Sequence, residues 1–325
     1  MIDLVAEQSP LGGLERWLAD PEITEIMVNG GDEIWIERRG SLQLVGRMRS
    51  STLLAVVEHL LAPIGRRLDR MHPTVDARLS DGSRLCAAIA PVAVDGPCIT
   101  IRRFAPGHLS LAAFASDEVQ ALLREVVHRR CNIVVSGATS SGKTTLLDAL
   151  ARELEPEARV VTLEDVAELR LAHAHVVRLE TRDATPDGVG DITLAHLVRT
   201  ALRMRPDRLI IGEVRGAEAV QLLQALNTGH EGSMCTVHAN SAPDALARLA
   251  TLVLQATDGW PLMSVHHHVA RAVDVVVHME RRPDGVRAVA EVAEVIEPSG
   301  RRAGLSVRRL AEGGRVLASL ERGRR

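Results

Sequence analysis

Aromatic residues are scarce in this chain of 325 residues, which holds no tyrosine, two phenylalanines and three tryptophans. Its core must therefore be built from aliphatic side chains. Proteins that bind single-stranded nucleic acid stack the bases on aromatic rings, so the composition argues against that class. The net charge of −3 provides no positive field that would draw the chain to DNA or to acidic lipid. We therefore expect no direct nucleic-acid partner.

Cysteines and long apolar runs are also few. Cys86, Cys98, Cys131 and Cys235 form no C-x-x-C pair, which predicts four reduced, buried thiols. No apolar run reaches the roughly 18 residues of a membrane-spanning helix, and nothing at the start is typical of a signal peptide. We expect a cytoplasmic protein without a transmembrane segment, whose contact with a membrane depends on a partner.

The length suggests about two domains. Short strand patterns, separated by turn signals, and one helical spacing predict a small α+β domain over residues 1–104. The strands are expected at 23–28, 34–37, 42–45, 75–79, 84–90 and 98–104, and the helix at 51–61. The sequence Ala105-Pro106-Gly107 indicates a linker over residues 105–115.

From residue 116 onward, strand and helix patterns alternate. Ser116 is expected to cap a helix with acidic residues in its first turn. Strands are predicted at 132–136, 159–163, 176–181, 208–211 and 233–237, and helices at 145–150, 194–202, 217–227 and 244–255. Such alternation predicts an α/β fold with a mostly parallel sheet and helices on both faces. A predicted hairpin over 274–296 adds a C-terminal β extension.

The segment NIVVSGATSSGKTTLL, over residues 132–147, carries the strongest functional signal. A strand, the pattern G-x-x-x-x-G-K-T and a helix follow one another, as in phosphate-binding loops. A chance match in a chain of this length is expected on the order of 1% of the time. We therefore predict that residues 137–145, the phosphate loop, bind ATP and Mg²⁺. The residues are Gly137, Ala138, Thr139, Ser140, Ser141, Gly142, Lys143, Thr144 and Thr145.

Two roles within the phosphate loop follow from its chemistry. Lys143 is expected at the β- and γ-phosphates, and the hydroxyl of Thr144 at Mg²⁺. The helix that begins behind the loop adds a partial positive charge. We interpret residues 116–325 as a RecA-like P-loop ATPase domain with the β extension at its end.

Carboxylates follow two of the predicted strands. Glu213 ends the buried strand that begins at Arg208, and Glu164 and Asp165 follow the strand VVTL. Beside a phosphate loop, such groups hold Mg²⁺ or orient the attacking water. We expect Glu213 and Glu164 to be catalytic, and Glu213 and Asp165 to ligate the metal. The sequence leaves open which glutamate is the general base.

Two histidines, His230 and His238, flank the segment GHEGSMCTVH. His238 ends a predicted strand, where side chains face the nucleotide edge of the sheet. Each histidine could act at the nucleotide or could have only a structural role. A zinc site formed by the two is also possible, but no third or fourth ligand has a suitable spacing. The run 266–268 is read as structural, because adjacent residues on a helix do not share a face.

Arg102 and Arg103 end the last strand of the first domain. Two interpretations remain open from composition alone. The pair forms a solvated strand end, or one arginine acts as a finger supplied across a domain or subunit boundary.

Several segments together resemble a known family, the ATPases of type II and type IV secretion systems. They are the stretches at 23–30, 75–85, 96–104, 137–145, 162–169, 176–182, 201–219 and 227–240. The chain is most similar to the CpaF-like branch, which drives Flp (tight-adherence) pilus assembly and includes proteins labelled conjugal-transfer ATPases. Loops of this family often read GGTGSGKTT, so that Ala138 and Ser140 stand here where two glycines are common.

The resemblance implies a hexameric ATP-hydrolysing motor at the cytoplasmic face of the inner membrane, working with an inner-membrane platform protein. It places Glu164 and Asp165 in the family's Asp box and Glu213 in its Walker B motif. It also places His230 and His238 in the His box, and Arg102 and Arg103 where the N-terminal domain reaches toward nucleotide. By this resemblance we expect all four residues to be catalytic.

Two other classes share the phosphate loop. A DNA translocase, recombinase or conjugation-associated ATPase is expected to show a basic stripe or aromatic loops. A small-molecule kinase is expected to carry acceptor-binding or lid segments, and we find none in the sequence. Pilus assembly or secretion is therefore the preferred function.

Overall fold

The computed structural model describes residues 2–3, 9–30, 32–103, 109–182, 184, 189–297 and 304–322. The chain divides into two compact units, residues 1–107 and residues 108–325. The predicted linker residues 105–107 and the end of the strand predicted over 98–104 lie outside the described residues.

Unit 1 is built on a seven-stranded sheet in the order β1-β4-β3-β2-β7-β6-β5. All neighbours are antiparallel except β1 and β4. The elements in chain order are β1 (Ile2–Asp3), α1 (Glu15–Leu18), β2 (Ile23–Val28), β3 (Glu33–Arg38), β4 (Ser41–Arg47), α2 (Ser50–Leu61), β5 (Thr74–Arg78), β6 (Arg84–Ala88) and β7 (Cys98–Arg102).

The core of unit 1 lies between the sheet and α2. In β2, Ile23, Ile26 and Val28 are buried, and a bulge between Ile23 and Glu25 accounts for the irregular spacing. Leu53 and Val57 of α2 belong to the same buried cluster. The predicted small α+β fold is confirmed.

Unit 2 is built on a nine-stranded sheet in the order β10-β9-β11-β12-β8-β13-β14-β15-β16. Its elements are α3 (Asp117–His128), β8 (Ile133–Gly137), α4 (Lys143–Ala151), β9 (Val160–Glu164), β10 (Val176–Glu180), α5 (Leu194–Ala201), β11 (Arg208–Ile211), α6 (Glu218–Leu226), β12 (Met234–His238), α7 (Ala242–Ala256), α8 (Leu262–Ala272), β13 (Val275–Arg281), β14 (Arg287–Ile296), β15 (Ser306–Glu312) and β16 (Arg315–Val316). Every pair from β10 to β13 is parallel, and every pair from β13 to β16 is antiparallel.

Both faces of this sheet are covered by helices. Along β8, Val134 faces the cluster that includes residues of α5 to α8, whereas Ile133 and Val135 face the cluster that includes α3 and α4. The α/β prediction, with a mostly parallel sheet and a C-terminal β extension, is confirmed. No helix among the described residues combines the length and apolar character needed to cross a membrane.

Some expectations differ from the structure. The cysteine prediction is wrong for Cys86, which is exposed, and for Cys98, which is half-buried. Along β6 and β7 these cysteines alternate with the buried residues Leu85, Ala87 and Ile99, so their side chains do not face the core. Phe114 is buried in unit 2, within the predicted linker 105–115, so the end of that stretch packs as core. The last 25 residues, from which no structure was predicted, contain β15, β16 and the buried Leu320.

Candidate nucleotide-binding site

The phosphate loop begins at the carboxyl edge of the parallel strands. β8 ends at Gly137, which pairs with His238 of β12 on one side and with Met279 of β13 on the other. Loops that follow parallel strands meet at this edge. The ends of β9, β11 and β12 therefore bring their side chains toward the phosphate loop.

Glycine is required at both ends of the phosphate loop. Gly137 has φ of 152°, and a Cβ there would lie 2.5 Å from the Met279 carbonyl oxygen. Gly142 has φ of 95° and precedes the first residue of α4. Ser140 also adopts a left-handed conformation, with φ of 60°. The curled backbone that a phosphate requires is therefore present, although a serine stands at one left-handed position.

Lys143 is the first residue of α4 and is folded onto the loop. Its Nζ donates to the carbonyl oxygens of Gly137, at 3.0 Å, and Ala138, at 2.8 Å. The amides of the first helical turn have no acceptor within the helix and point toward the loop. An anion there would meet these amides and the ammonium group together.

The residues present fit a nucleotide phosphate with Mg²⁺. Ser141 Oγ is buried and has no hydrogen-bond partner among the described residues. Thr144 follows Lys143 and supplies a hydroxyl, and Glu213 supplies a carboxylate, the oxygen ligands that Mg²⁺ prefers. No cluster of three or more His, Cys, Asp or Glu in the described ranges would hold a metal ion alone. A bound Mg²⁺ would therefore take the rest of its ligands from phosphate and water.

His238 and Glu213 are brought together beside Lys143. His238 Nε2 lies 2.9 Å from Glu213 Oε1 and 3.5 Å from Lys143 Nζ. A carboxylate only accepts, so this Nε2 carries a hydrogen and donates it to Glu213. The same nitrogen then cannot accept from Lys143, whose ammonium group only donates, so the 3.5 Å approach is not a hydrogen bond. Burial, followed by the charge of Lys143, lowers the pKa of His238, which keeps the ring neutral at pH 7.

Glu164 is the most enclosed of the predicted catalytic groups. Its side chain is 3% exposed, and Oε1 accepts from the amides of Glu168 and Leu169, each at 3.0 Å. Oε2 is buried and has no hydrogen-bond partner within the described chain. Burial raises the pKa of Glu164 to about 7, and the two amides oppose that effect. Its Cγ would lie 2.9 Å from a Cβ on Gly212, which precedes Glu213.

Asp165 is engaged differently from its neighbour. Arg215 Nε donates to Asp165 Oδ2 at 2.8 Å, and Arg215 Nη2 contacts the same oxygen. Thr181 Oγ1 lies 3.4 Å from Oδ1. A metal ion at Asp165 would have to compete with the guanidinium of Arg215.

The structure does not bring His230 to this edge. β12 runs from Met234 to His238, so that His230 precedes the opposite end of the strand, which lies roughly 13 Å from His238 at the usual rise per residue. Its Nδ1 lies 3.3 Å from the Ala225 carbonyl oxygen. The two histidines therefore share no metal within one chain.

Arg102 and Arg103 both belong to unit 1 and differ in their contacts. Arg103 Nη1 donates to the carbonyl oxygens of Trp17 and Ile23, each at 3.4 Å, and also to that of Asp20. Arg102 is 44% exposed, and its Nε lies 3.7 Å from Glu25 Oε1. Arg103 is therefore held by the backbone of its own unit, whereas Arg102 is held by one long ion pair.

Two polar residues near the loop were missed from sequence. Ser136 Oγ lies 2.9 Å from His278 Nδ1, directly before Gly137. Burial lowers the pKa of His278. In the sequence, the one sign of this contact is a single histidine, His278, in the apolar run VVVHM. Its partner Ser136 on β8 is 142 residues away and can be identified only from strand pairing.

Comparisons with known proteins agree with this fold. The family model described as type II/IV secretion system protein matches residues 7–306. A putative conjugal transfer protein of Mycobacterium tuberculosis is 38% identical over 314 residues, which cover 92% of this chain and 88% of that protein. The type IV secretion system protein PtlH of Bordetella pertussis is 33% identical over 306 residues, which cover 84% and 89%.

A solved structure shares the fold. The pilus retraction motor PilT with bound ADP matches 90% of this chain and 84% of its own, with a TM-score of 0.65 and 19% identity. Such an identity supports the fold alone. The family match over most of the chain confirms the resemblance seen in the sequence, and the chain belongs to the type II/IV secretion system protein family.

Proposed function

We propose that this protein is an ATPase that drives a type IV secretion, conjugation or pilus machine. The observation that carries the proposal is the meeting of three side chains at the phosphate loop, where His238 Nε2 lies 2.9 Å from Glu213 Oε1 and 3.5 Å from Lys143 Nζ. Family membership supports the same activity.

Each residue is given a role in ATP hydrolysis. Lys143 binds the β- and γ-phosphates, exchanging its carbonyl contacts for phosphate oxygens. Thr144 and Glu213 hold Mg²⁺, which when bound neutralises charge on the phosphates. His238 keeps Glu213 oriented through the hydrogen bond from Nε2.

Glu164 is proposed as the proton acceptor for the attacking water. A general base works best when its pKa is near the operating pH, and burial raises that of Glu164 to about 7. One of its oxygens is fixed by two amides, which leaves Oε2 for the water. In this proposal Glu213 is the metal ligand rather than the general base.

The assembly proposed is a homohexamer that acts at the inner face of the cytoplasmic membrane through a platform protein. Relatives named for conjugal transfer and type IV secretion support a conjugative or type IV machine in particular. To separate protein cargo from DNA cargo, ATP turnover is measured with and without single- and double-stranded DNA. An unchanged rate is expected, and strong stimulation would favour a DNA translocase.

The activity is tested with Lys143→Ala, and Arg203→Ala, which removes an exposed arginine of unit 2, serves as the control. Loss of the ammonium group should lower affinity for a fluorescent ATP analogue by about 100-fold, as expected for charged contacts. ATP turnover should fall to background. Wild-type affinity and turnover in Lys143→Ala would overturn the assignment.

Lys143 is also the only lysine of the chain, which gives a second readout. An amine-selective reagent can modify only this side chain and the terminal amine. Nucleotide should protect Lys143 but not the terminus, as measured by mass spectrometry of digested protein. Equal modification with and without nucleotide would contradict phosphate binding at the loop.

A further inference from the structure

The hairpin formed by β13 and β14 extends beyond the end of β8. Gly137, the last residue of β8, pairs with Met279. The hairpin continues past this point, with Arg281 paired to Arg287. Two further residues of strand reach roughly 7 Å past the start of the phosphate loop.

Arg287 lies directly against the phosphate loop. Its Cδ is 3.0 Å, and its Cβ 3.6 Å, from the point where a Cβ on Gly142 would stand. The Cε of Met279 is 3.6 Å from the same point. The side chain of Arg287 is half-buried, so its stem covers Gly142 where α4 begins.

The hairpin and the catalytic groups lie on opposite sides of β8. His238, Glu213 and Glu164 come from β12, β11 and β9, which all lie on one side in the strand order. β13 flanks β8 on the other side. If the γ-phosphate faces the carboxylates, the α-phosphate and ribose must extend toward the hairpin.

We propose that Arg287 is a nucleotide-binding residue that contacts the α-phosphate and ribose end of ATP and ADP. This inference rests on the proposed ATPase function. A guanidinium binds phosphate oxygens through two parallel hydrogen bonds and keeps its charge at every physiological pH. Because Cβ and Cδ of Arg287 pack against Gly142, the side chain already lies at the loop before nucleotide arrives.

The test compares Arg287→Met with Arg282→Met. Methionine keeps an apolar stem over Gly142 but removes the charge.

The matched control is Arg282, which belongs to the same hairpin and is 47% exposed. Its Nε lies 3.4 Å from Glu280 Oε1. The probes are ADP, ATP and inorganic pyrophosphate, and their affinities are measured by calorimetry. Melting of the nucleotide-free proteins reports on folding, and Arg287→Lys provides a second variant that retains charge.

Arg287→Met should weaken ADP and ATP alike by about 10- to 100-fold, as for hydrogen bonds to a charged group. Pyrophosphate affinity should stay within about twofold, because two phosphates fill the β and γ positions and leave the α-phosphate and ribose end empty. Arg287→Lys should lose less affinity for ADP and ATP than Arg287→Met, and Arg282→Met should lose none. Unchanged ADP affinity would show that Arg287 only braces Gly142, and an equal loss of pyrophosphate affinity would place it at the β- and γ-phosphates. Either result overturns the proposal, whereas failure of the ATPase function would abolish binding of every probe to the wild type.

Discussion

His238 Nε2 lies 2.9 Å from Glu213 Oε1, which joins the last residue of β12 to the carboxylate that follows β11. The hydrogen bond fixes the tautomer of His238, since a carboxylate cannot donate. It also fixes the side chain of Glu213 next to Lys143, whose Nζ is 3.5 Å from the same nitrogen. The loop lysine and the carboxylate therefore both lie within 3.5 Å of one imidazole nitrogen, which donates only to the carboxylate.

The first prediction concerns Glu213→Gln, which keeps the size of the side chain but removes its charge. ATP binding should be retained, because Lys143 and the loop amides remain. Hydrolysis should fall by roughly 100-fold or more, because the metal loses its carboxylate ligand. Single-turnover kinetics and binding of a fluorescent analogue measure the two effects separately. Glu157→Gln, at an exposed position, is the control and should behave as wild type. Normal ATP turnover in Glu213→Gln would show that Glu213 has no role in hydrolysis.

The second prediction concerns Glu164 and pH. Burial raises its folded-state pKa to about 7, above the ordinary 4.5. The folded state therefore binds more protons than the unfolded state between these values, and the stability of unit 2 falls as pH rises through 7. The difference corresponds to roughly 3 kcal/mol at most.

Glu164→Gln, which stays neutral, should remove this loss. Denaturant unfolding of both proteins at pH 5.5 and pH 8.5 is the measurement. The free energy of unfolding of Glu164→Gln, relative to that of wild type, should be higher at pH 8.5 than at pH 5.5. That of Glu157→Gln should equal the wild-type value at both pH values. Parallel curves for Glu164→Gln and wild type would show that Glu164 ionises normally.

Much of the fold is predictable because strand and helix periodicities are local. The strands predicted over 23–28 and 208–211 are found with the same bounds, as Ile23–Val28 and Arg208–Ile211. The strand, loop and helix around Lys143 were likewise recognisable, because glycine at 137 and 142 is dictated by backbone conformation.

What the sequence could not supply are contacts between distant residues. The ion pair of Asp165 with Arg215, and the hydrogen bond of Ser136 with His278, depend on strand order. α8 was not predicted either. The histidine run at 266–268 separates Val265 from Val269, two buried residues of its apolar face, so the helical spacing is short and weak in the sequence.

The third prediction concerns Ser140, which has φ of 60° in the phosphate loop. A left-handed conformation costs a residue with a side chain about 1 kcal/mol or more, and glycine avoids this cost. Glycine also loses more backbone entropy on folding, by about 0.5–1 kcal/mol. Ser140→Gly should therefore stabilise the nucleotide-free protein by less than about 1 kcal/mol.

Ser140→Val is the matched comparison, because a β-branched residue is disfavoured at positive φ. It should destabilise the protein by about 2 kcal/mol and weaken nucleotide binding. Thermal unfolding of the three proteins gives the ranking. If the valine variant were as stable as the glycine variant, the left-handed conformation at this position would be refuted.

The last prediction separates Arg102 from Arg103. Arg103 donates to three backbone carbonyls of unit 1, so Arg103→Ala should destabilise that unit by about 2 kcal/mol. Arg102 makes one exposed ion pair, so Arg102→Ala should change stability by less than about 0.5 kcal/mol. A loss of ATPase activity in Arg102→Ala would then be functional rather than structural. We propose that Arg102 supplies a guanidinium to the nucleotide of another subunit, which typically raises the rate by about 1000-fold.

Mixing two inactive variants tests whether that guanidinium acts between subunits. Arg102→Ala retains its own carboxylates, and Glu213→Gln retains its own arginine. If a finger acts in trans, a mixed assembly contains sites with both groups intact, and part of the activity should return. The control is a mixture of Glu213→Gln and Lys143→Ala, because both substitutions lie at the same phosphate loop. If unit 2 of one chain supplies both groups to one nucleotide, no mixed site is intact, and the ATPase activity of this mixture should not recover. Wild-type activity in Arg102→Ala alone would identify this arginine as a solvated strand end, and inactivity of the mixture would confine its action to its own chain.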